Sequence, residues 1–488
     1  MSEQRDTSIR VPDVGELGRV LARVAEERHV PGAAVGLLVN GQELALGQGI
    51  TSVDNPLPVD AATLFQIGSI TKTFTGTAVM RLVERGDLDL DTPVRTYVPE
   101  LRLSDETVAE QVTLRHLLTH TAGWVGDLFD DTGPGDDALA RIVAEMASLP
   151  QLTPLGQVWS YCNSGFYLVG RVVEVVTEQP FEQAVTDLVL APLGMAHTFF
   201  FPADVMTYRF VVGHIVRERR ATVARPWALA RSAAPAGGLI SCVDDLLRYA
   251  RFHLGMGEYS GQRLLSPDAM ALMQTPLAPA ALDDTVGVAW MLSHIGATRT
   301  VSHGGGTNGQ STHLLLVPAH NLALVVLTNV DLGGGVAREV TDWVLQECLG
   351  VVRQPPTWQP LPPEELAPFS GRYCSEGWDA ELRPGDGVLV LQAISTRWVP
   401  EAGLATAAAS AGRTSWLLWT RPCSRARPAL SNTAGRVSAR SRWDDRVVPL
   451  ERPHLQTSGR PAPTLITSTA RRWQNILVRV AGAHCLGG

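Results

Sequence analysis

The sequence contains almost no lysine. Lys72 is the only lysine among 488 residues, and arginine supplies every other one of the 41 Lys+Arg positions. An arginine keeps its proton inside a protein, whereas a buried lysine can lose it and then act as a base. The single lysine is therefore a candidate for a chemical role rather than for surface charge.

Other features are missing as well. No apolar run reaches the roughly 18 residues of a transmembrane helix, and residues 1–13 lack the apolar core of a signal peptide. We therefore expect no membrane span and a cytoplasmic location.

The six cysteines form no CxxC pair, which excludes the usual spacing of a zinc site and favours buried thiols over a disulfide scaffold.

Charge is distributed unevenly along the chain. Residues 401–488 carry 13 arginines against 4 acidic side chains, whereas residues 1–400 carry 28 basic and 45 acidic ones. The acidic body does not favour nucleic acid, and the arginines of the basic end are dispersed without an accompanying motif. We expect no nucleic-acid partner.

Hydrophobic periodicity predicts an α+β fold. A capping box opens a helix at Asp13, a second helix opens at Ser69, and the region from 87 to 280 is mostly helical. Strand patterns bracket that helical region, at 33–39, 43–46, 286–292, 300–303, 311–317 and 322–329, before a last helix at 336–349. The economical arrangement is one antiparallel sheet flanked by the terminal helices, with an inserted helical lobe and a site in the cleft between them.

The length predicts more than one domain. We place a catalytic domain at 1–350 and, because five prolines fall between 354 and 363, a Pro-rich linker at 351–366. Alternation beyond the linker predicts a small β domain at 367–452. Little periodicity remains in 453–488, which makes this tail a candidate for disorder.

The lone lysine lies three residues after Ser69, in a Ser-x-x-Lys arrangement. Positions i and i+3 share one face of a helix, so the two side chains meet. In the first turn the positive end of the helix dipole disfavours an ammonium, and burial lowers the lysine pKa further. Lys72 can then accept a proton from Ser69, as a base does for a serine nucleophile.

Two other stretches carry groups of chemical interest. Tyr161 and Asn163 precede an apolar helical run; a tyrosine beside a cationic lysine ionises more easily and relays a proton, and an asparagine oxygen can hold the lysine. Taken alone, this pair is also typical of a loop tyrosine with an Asn helix cap. His303 begins a His-Gly-Gly-Gly run, whose amides can approach a ligand and form part of an oxyanion hole, although a flexible hairpin connection has the same composition.

Ser-x-x-Lys, Tyr-x-Asn and His-Gly-Gly, in this order and at about these separations, resemble the serine beta-lactamase-related hydrolases: class C beta-lactamases, DD-peptidases and family VIII esterases. Further stretches are similar, at 114–123, 192–195 and 237–241, and the resemblance covers roughly 10–350. It implies a beta-lactamase/transpeptidase-like fold. The segment 369–373 looks like the start of the lipocalin-like β domain often appended to such enzymes.

The resemblance implies a role for each catalytic side chain. Ser69 is the acylated nucleophile and Lys72 is its base. Tyr161 relays the proton and activates the deacylating water, and Asn163 orients the lysine and the substrate. No metal or organic cofactor is implied.

The resemblance implies substrate contacts for the third motif, which departs from the family's usual pattern at one position. His303, Gly305 and Gly306 would bind substrate, with the amides of Ser69 and Gly306 as the oxyanion hole. His303 stands where beta-lactamases usually carry a lysine that helps to hold the substrate carboxylate, and neutral histidine offers less charge near pH 7. We therefore expect an esterase, amidase or peptidase acting on small ester, amide or peptide substrates, with weak beta-lactamase activity. The alternatives are a beta-lactamase or DD-peptidase, and a catalytically silent binding protein.

Two cofactor interpretations are not favoured. His116 and His120 are four apart, but no glutamate lies between them as in His-Glu-x-x-His, so we interpret them as helix-packing residues rather than metal ligands. A single lysine can also hold pyridoxal phosphate, but nothing else in the sequence resembles a phosphate-binding loop.

Overall fold

The computed structural model describes residues 9–280, 284–354, 362–374, 378–384, 389–396, 421–422 and 478–480. These residues fall into two compact units: one holds the described residues up to 354, and the other holds those from 362 onward. Most of the β domain predicted at 367–452, most of the tail predicted at 453–488 and part of the linker predicted at 351–366 lie outside the described residues. The described tail residues, 478–480, form a strand rather than an irregular end.

The first unit combines helices with an extensive sheet. Its helices are α1 (Val14–Glu27), α2 (Thr71–Arg85), α3 (Glu106–Gln111), α4 (Leu114–Leu118), α5 (Ala138–Glu145), α6 (Asn163–Thr177), α7 (Phe181–Val185), α8 (Pro202–Val205), α9 (Ala234–Gly237), α10 (Val243–Leu254), α11 (Pro267–Met273) and α12 (Gly334–Leu349). Its strands are β1 (Gly32–Val39), β2 (Gln42–Gly49), β3 (Phe65–Gln66), β4 (His214–Arg217), β5 (Arg220–Val223), β6 (Ile240–Ser241), β7 (Glu258–Tyr259), β8 (Gln262–Arg263), β9 (Ala278–Pro279), β10 (Thr285–Val286), β11 (Met291–Ile295), β12 (Thr298–Thr307), β13 (Gln310–Val317) and β14 (Leu322–Thr328).

An eight-stranded antiparallel sheet organises this unit, with strand order β2-β1-β14-β13-β12-β11-β10-β9. The N-terminal strand β1 therefore pairs with the C-terminal strand β14, with Val35 opposite Val326. This confirms the predicted closure of one sheet from both ends of the unit, with the helical segment inserted between them.

Both faces of the central strands are buried, which explains their nearly continuous apolar sequences. Along β1, Val35 and Leu37 pack in a core cluster with residues of α1 and α12, whereas Ala34 and Leu38 belong to a second cluster that extends into the helical lobe. Successive side chains of a strand point to opposite faces, so one strand serves both cores. The sheet is thus the partition between the terminal helices and the inserted lobe.

Local sequence signals set several element boundaries, and the capping box at Asp13 was predicted. Asp13 and Glu16 form the capping box of α1. Asn40 and Gly41 have positive φ angles of 51° and 77° in the β1–β2 connection, as a two-residue hairpin turn requires. α2 ends at Gly86, in the left-handed conformation.

The structure contradicts one of the two interpretations of the His-Gly-Gly-Gly motif, the flexible hairpin connection. Its glycines do not form a flexible connection: His303 to Gly306 lie inside β12, paired with β13, and the turn follows at Asn308 and Gly309. β12 is longer than the predicted strand because backbone pairing with β13 continues through the glycines, which have no side chains to signal it.

In the second unit, the described residues form a short helix α13 (Pro363–Leu366) and five strands: β15 (Gly371–Cys374), β16 (Trp378–Pro384), β17 (Leu389–Thr396), β18 (Arg421–Pro422) and β19 (Val478–Val480). Their order is β18-β15-β16-β17-β19, and the β17–β19 pair is parallel. No helix in the described part of the chain combines the length and apolar character that a membrane crossing requires.

Candidate active site

Ser69 lies in a single 3₁₀ turn, Gly68–Ile70, that leads directly into α2. The residue before this turn is held from two sides: the Ile67 N–H donates to the carbonyl of Leu239 (2.9 Å), and the Ile67 carbonyl accepts from Thr312 Oγ1 (2.9 Å). Thr312 belongs to β13, so the main sheet fixes the position of the serine. Ser69 itself stays partly accessible.

Backbone segments approach each other closely beside Ser69. Gly68 has a φ of +52°, and a Cβ there would lie only 2.7 Å from the Gly306 nitrogen. A Cβ on Gly305 would clash with the carbonyl oxygen of Ile67, whereas one on Gly306 would meet nothing within 4 Å. Glycine is therefore needed at 68 and 305 so that β12 can approach the serine turn, and this brings the predicted oxyanion amide of Gly306 to that turn.

Lys72 is fully buried, and its ammonium nitrogen has three polar neighbours. Nζ lies 3.0 Å from Ser69 Oγ, 2.8 Å from Asn163 Oδ1 and 2.7 Å from the carbonyl oxygen of Ala236 in α9. The Asn163 and Ala236 oxygens can only accept hydrogen bonds. A neutral lysine has two N–H groups for these two oxygens, which leaves its lone pair directed at the Ser69 hydroxyl.

Asp127 fixes the orientation of the Asn163 amide. Asn163 Nδ2 donates to Asp127 Oδ1 (2.9 Å), so the amide oxygen is the atom that faces Lys72. Ser69, Lys72, Asn163 and Asp127 thus form one continuous hydrogen-bonded chain. It joins the start of α2 to the start of α6 and to an exposed carboxylate on the loop after α4.

Burial lowers the pKa of Lys72 to about 7, although the nearby Asp127 and Cys162 groups oppose this shift. The physical cause is desolvation, which disfavours the charged form of a lysine. A base whose pKa lies near neutrality is unprotonated in about half of the molecules at pH 7. Lys72 can therefore remove the Ser69 proton without a large energetic penalty.

Tyr161 contacts both Ser69 and Lys72. A hydrogen bond links its side chain to Ser69, and the ring centroid lies 4.9 Å from Lys72 Nζ. The expectation that Tyr161 ionises more easily beside the lysine is wrong: burial raises the pKa of its phenol well above the ordinary value. The tyrosine is therefore neutral at rest, and any proton relay passes through its O–H group.

His303 lies in β12 and is also buried. Its Nδ1 donates to the Gly304 carbonyl (2.6 Å), and its Nε2 has no hydrogen-bond partner within the described chain. Burial, helped by the proximity of Lys72, lowers the pKa of His303 to about 3. The imidazole is therefore neutral, as expected, and its ring lies 6.2 Å from that of Tyr161.

His120 is a site residue that sequence reasoning missed. The helix-packing interpretation holds for His116, whose Nδ1 caps α4, but His120 lies beyond that helix with a φ of +58°. Its ring stacks on Tyr161 at 4.4 Å, and its Nδ1 accepts from the Cys162 N–H (3.0 Å). His120 thus packs against the tyrosine and holds the following peptide.

Asp127 and the Ala236 carbonyl were also missed. Asp127 is one acidic residue among 49 Asp+Glu positions, and a backbone carbonyl has no sequence signal at all. Only the Gly-Gly-Leu-Ile-Ser stretch at 237–241 pointed near Ala236. Cys162, which lies between Tyr161 and Asn163 in the second motif, caps α6: its sulfur accepts from the Gly165 N–H (3.3 Å).

Within the described ranges, no group of three or more His, Cys, Asp or Glu side chains is arranged to hold a metal ion. A serine hydroxyl, a neutral amine, a phenol and backbone amides close to the serine are groups that can carry out acyl transfer.

Comparison with known proteins agrees with this geometry. The family model described as Beta-lactamase matches residues 17–348. Penicillin-binding protein 4 of Amycolatopsis lactamdurans is 36% identical over 366 residues, covering 72% of this chain and 95% of that protein.

Solved structures give the same result. The crystal structure of SurE has a TM-score of 0.66 and 29% identity, covering 78% of this chain and 86% of that one. A class C beta-lactamase from Rhodobacter sphaeroides has a TM-score of 0.58 and 25% identity, covering 68% and 99%. The first unit has the beta-lactamase/transpeptidase-like fold, and the chain belongs to the beta-lactamase family of serine hydrolases.

Proposed function

We propose that this protein is a serine hydrolase that forms an acyl-enzyme on Ser69 and cleaves ester or amide bonds of small acyl or peptide substrates. The observation that carries the proposal is the environment of Lys72. Its buried nitrogen lies 3.0 Å from Ser69 Oγ and within 2.8 Å of two oxygens that only accept hydrogen bonds. In the neutral amine the two N–H groups serve those oxygens, and the lone pair faces Ser69.

In the acylation step, Lys72 takes the Ser69 proton while Oγ forms a bond to the substrate carbonyl carbon. The charge that develops on the carbonyl oxygen is stabilised by the amides of Ser69 and Gly306, aided by the N-terminal end of α2. The tetrahedral intermediate then collapses, and the bond to the leaving group breaks. The proton held by Lys72 reaches the leaving group through the Tyr161 hydroxyl.

Deacylation repeats these steps with water as the nucleophile. Tyr161 and Lys72 remove a proton from the water, its oxygen bonds to the acyl carbon, and Ser69 leaves with the proton restored. Because the phenol is buried and its pKa is raised, Tyr161 acts as a relay that gains one proton as it loses another, not as a standing phenolate.

The third motif favours substrates that lack the carboxylate of beta-lactam antibiotics. The buried His303 is neutral, so it supplies no positive charge there. We expect nitrocefin turnover to be slow compared with simple esters. If His303→Lys places a cation at this position, kcat/KM for nitrocefin should rise by about ten- to a hundredfold, the value of a hydrogen bond to a charged group.

The decisive test is hydrolysis of p-nitrophenyl butyrate by the purified protein and by Ser69→Ala, with the exposed Ser148→Ala as a matched control. We expect turnover in the wild type and in the control, its loss in Ser69→Ala, and an acyl adduct on Ser69 by mass spectrometry. Equal turnover in Ser69→Ala would reject the nucleophile. No adduct with any acyl donor would favour the alternative of a silent binding protein.

A further inference from the structure

The loop after α4 places one carboxylate at the catalytic chain of hydrogen bonds. Asp127 Oδ1 accepts from Asn163 Nδ2 (2.9 Å), and the same asparagine holds Lys72 through its oxygen (2.8 Å). Partial desolvation raises the pKa of the Asp127 carboxyl above its ordinary value, but the side chain remains exposed, and its partner Asn163 is half-buried. The carboxylate is therefore accessible to a ligand and is three hydrogen bonds from the serine oxygen.

No arginine is paired with this charge. Asp127 forms no ion pair in the described part of the chain, and its one cationic neighbour, Lys72, has a pKa of about 7 and is therefore mostly neutral at pH 7.5. Two arginines contact the same loop region, and both are already paired. Arg231 donates to the Pro134 carbonyl (2.7 Å) and pairs with Glu182 (2.9 Å) and Asp136 (2.8 Å). Arg141 donates to the Thr132 carbonyl (3.5 Å) and pairs with Asp137 (2.6 Å). With His303 neutral, the charge that a substrate meets at this side of the site is negative.

The chemistry of the Asn163–Asp127 pair indicates which substrate group it would bind. An amino group on the α-carbon of an acyl donor is two bonds from the carbonyl carbon that Ser69 attacks. Asn163 Nδ2 has a second N–H, and Asp127 has a second oxygen, so the pair has one more donor and one more acceptor for a ligand. An ammonium that donates to a carboxylate makes a charge-assisted hydrogen bond, one of the stronger polar contacts.

We infer that Asp127 is a specificity-determining residue that selects acyl donors with a free, protonated amino group next to the scissile carbonyl, such as aminoacyl amides or esters. The inference rests on the proposed acyl-enzyme function. It goes beyond it in naming the charge of the preferred substrate. Acyl donors that carry a carboxylate at this position are repelled.

The test compares matched substrates with the full-length protein at pH 7.5. The probes are the p-nitroanilides of D- and L-alanine and the same compounds N-acetylated, which removes the charge. The variants are Asp127→Asn, which keeps an oxygen for Asn163 Nδ2, and Asp127→Lys, which reverses the charge. The control is Asp130→Asn, an exposed acid three residues along the same loop.

The measured quantity is the ratio of kcat/KM for the free-amine compound to that for its acetylated partner. We expect the wild-type ratio to exceed one for at least one enantiomer and to fall about ten- to a hundredfold in Asp127→Asn, the range for losing a hydrogen bond to a charged group. Asp127→Lys should lower it further, and Asp130→Asn should leave it within about twofold.

Two outcomes overturn the inference without touching the proposed function. One is an equal loss on both substrates in Asp127→Asn, which assigns Asp127 a purely structural role in holding Asn163. The other is a wild-type ratio at or below one in protein that hydrolyses p-nitrophenyl butyrate through Ser69. If the butyrate ester is not hydrolysed and Ser69 is never acylated, the proposed function fails, and the inference fails with it.

Discussion

The two sides of the candidate site are built differently. On the helix side, Ser69, Lys72 and Asn163 are joined by hydrogen bonds of 3.0 Å or less, and Lys72 is saturated with partners. On the strand side, β12 contributes backbone from Gly305 and Gly306, and the His303 imidazole has an Nε2 atom without a partner in the described chain.

This difference separates two tasks. The helix side has the base, the nucleophile and the groups that set their protonation, so changes there should act on the chemical step. The strand side provides backbone amides and the close approach of β12, and the His303 imidazole on it is neutral because it is buried. Substrate preference is therefore expected to vary through β12 and through Asp127, while the reaction depends on α2 and α6.

Among changes on the helix side, we expect Lys72→Arg to cause the largest loss of activity. Arginine does not lose its proton in a protein, so it cannot act as the base. We expect kcat on p-nitrophenyl butyrate to fall by about a hundred- to ten-thousandfold, the usual contribution of general base catalysis. Arg85→Lys, an exposed change at the other end of α2, is the control. Substantial activity in Lys72→Arg would mean that proton removal does not need the amine.

On the strand side, neighbouring glycines should respond differently to alanine. Gly305→Ala places a methyl group against the Ile67 carbonyl, whereas Gly306→Ala places it in open space. Overpacking of this kind costs about 1–3 kcal/mol in the free energy of unfolding, so Gly305→Ala should be destabilised by that amount and lose turnover. Gly306→Ala should lose less of both. Denaturant unfolding and butyrate hydrolysis measure this; equal effects would contradict the close approach of β12 to the serine turn.

The pH dependence of kcat/KM distinguishes the two sides without a mutation. The pKa of Lys72 is about 7 and the neutral form is the base, so activity should rise with pH and be about tenfold higher at pH 8 than at pH 6. The pKa of His303 is about 3, so the strand side should add no inflection between pH 5 and pH 9. A pH-independent rate across this range would show that Lys72 is not the titrating base.

The smallest expected effect concerns the packing of Tyr161. His120→Asn keeps a residue that tolerates positive φ and an acceptor for the Cys162 N–H, but it removes the ring that stacks on Tyr161. Aromatic pairs contribute about 0.5–1.5 kcal/mol, so kcat should fall roughly two- to tenfold. His116→Asn, at the cap of α4, serves as the control and should leave kcat unchanged. A similar loss in both variants would point to general destabilisation.

Much of the fold was predictable because its signals are local. The Asp13 capping box and the apolar run of β1 each depend on residues within a few positions of one another. The glycine strand in β12 was not predictable in the same way, because glycine has no side chain with which to show a period. Pairing with β13 and contact with the Ile67 carbonyl decide its conformation.

The sequence by itself determined that Ser69 and Lys72 share one face at the start of a helix, since their spacing of three matches the helical turn. Tertiary structure alone decided the protonation of that lysine. Its burial and its contact with the Ala236 carbonyl, 164 residues away in the chain, depend on how α9 and α6 pack against α2. The roles of Asp127 and His120 were decided in the same way. Spacing encodes what neighbours in the chain can do, but desolvation and long-range hydrogen bonds exist only once distant segments have packed together.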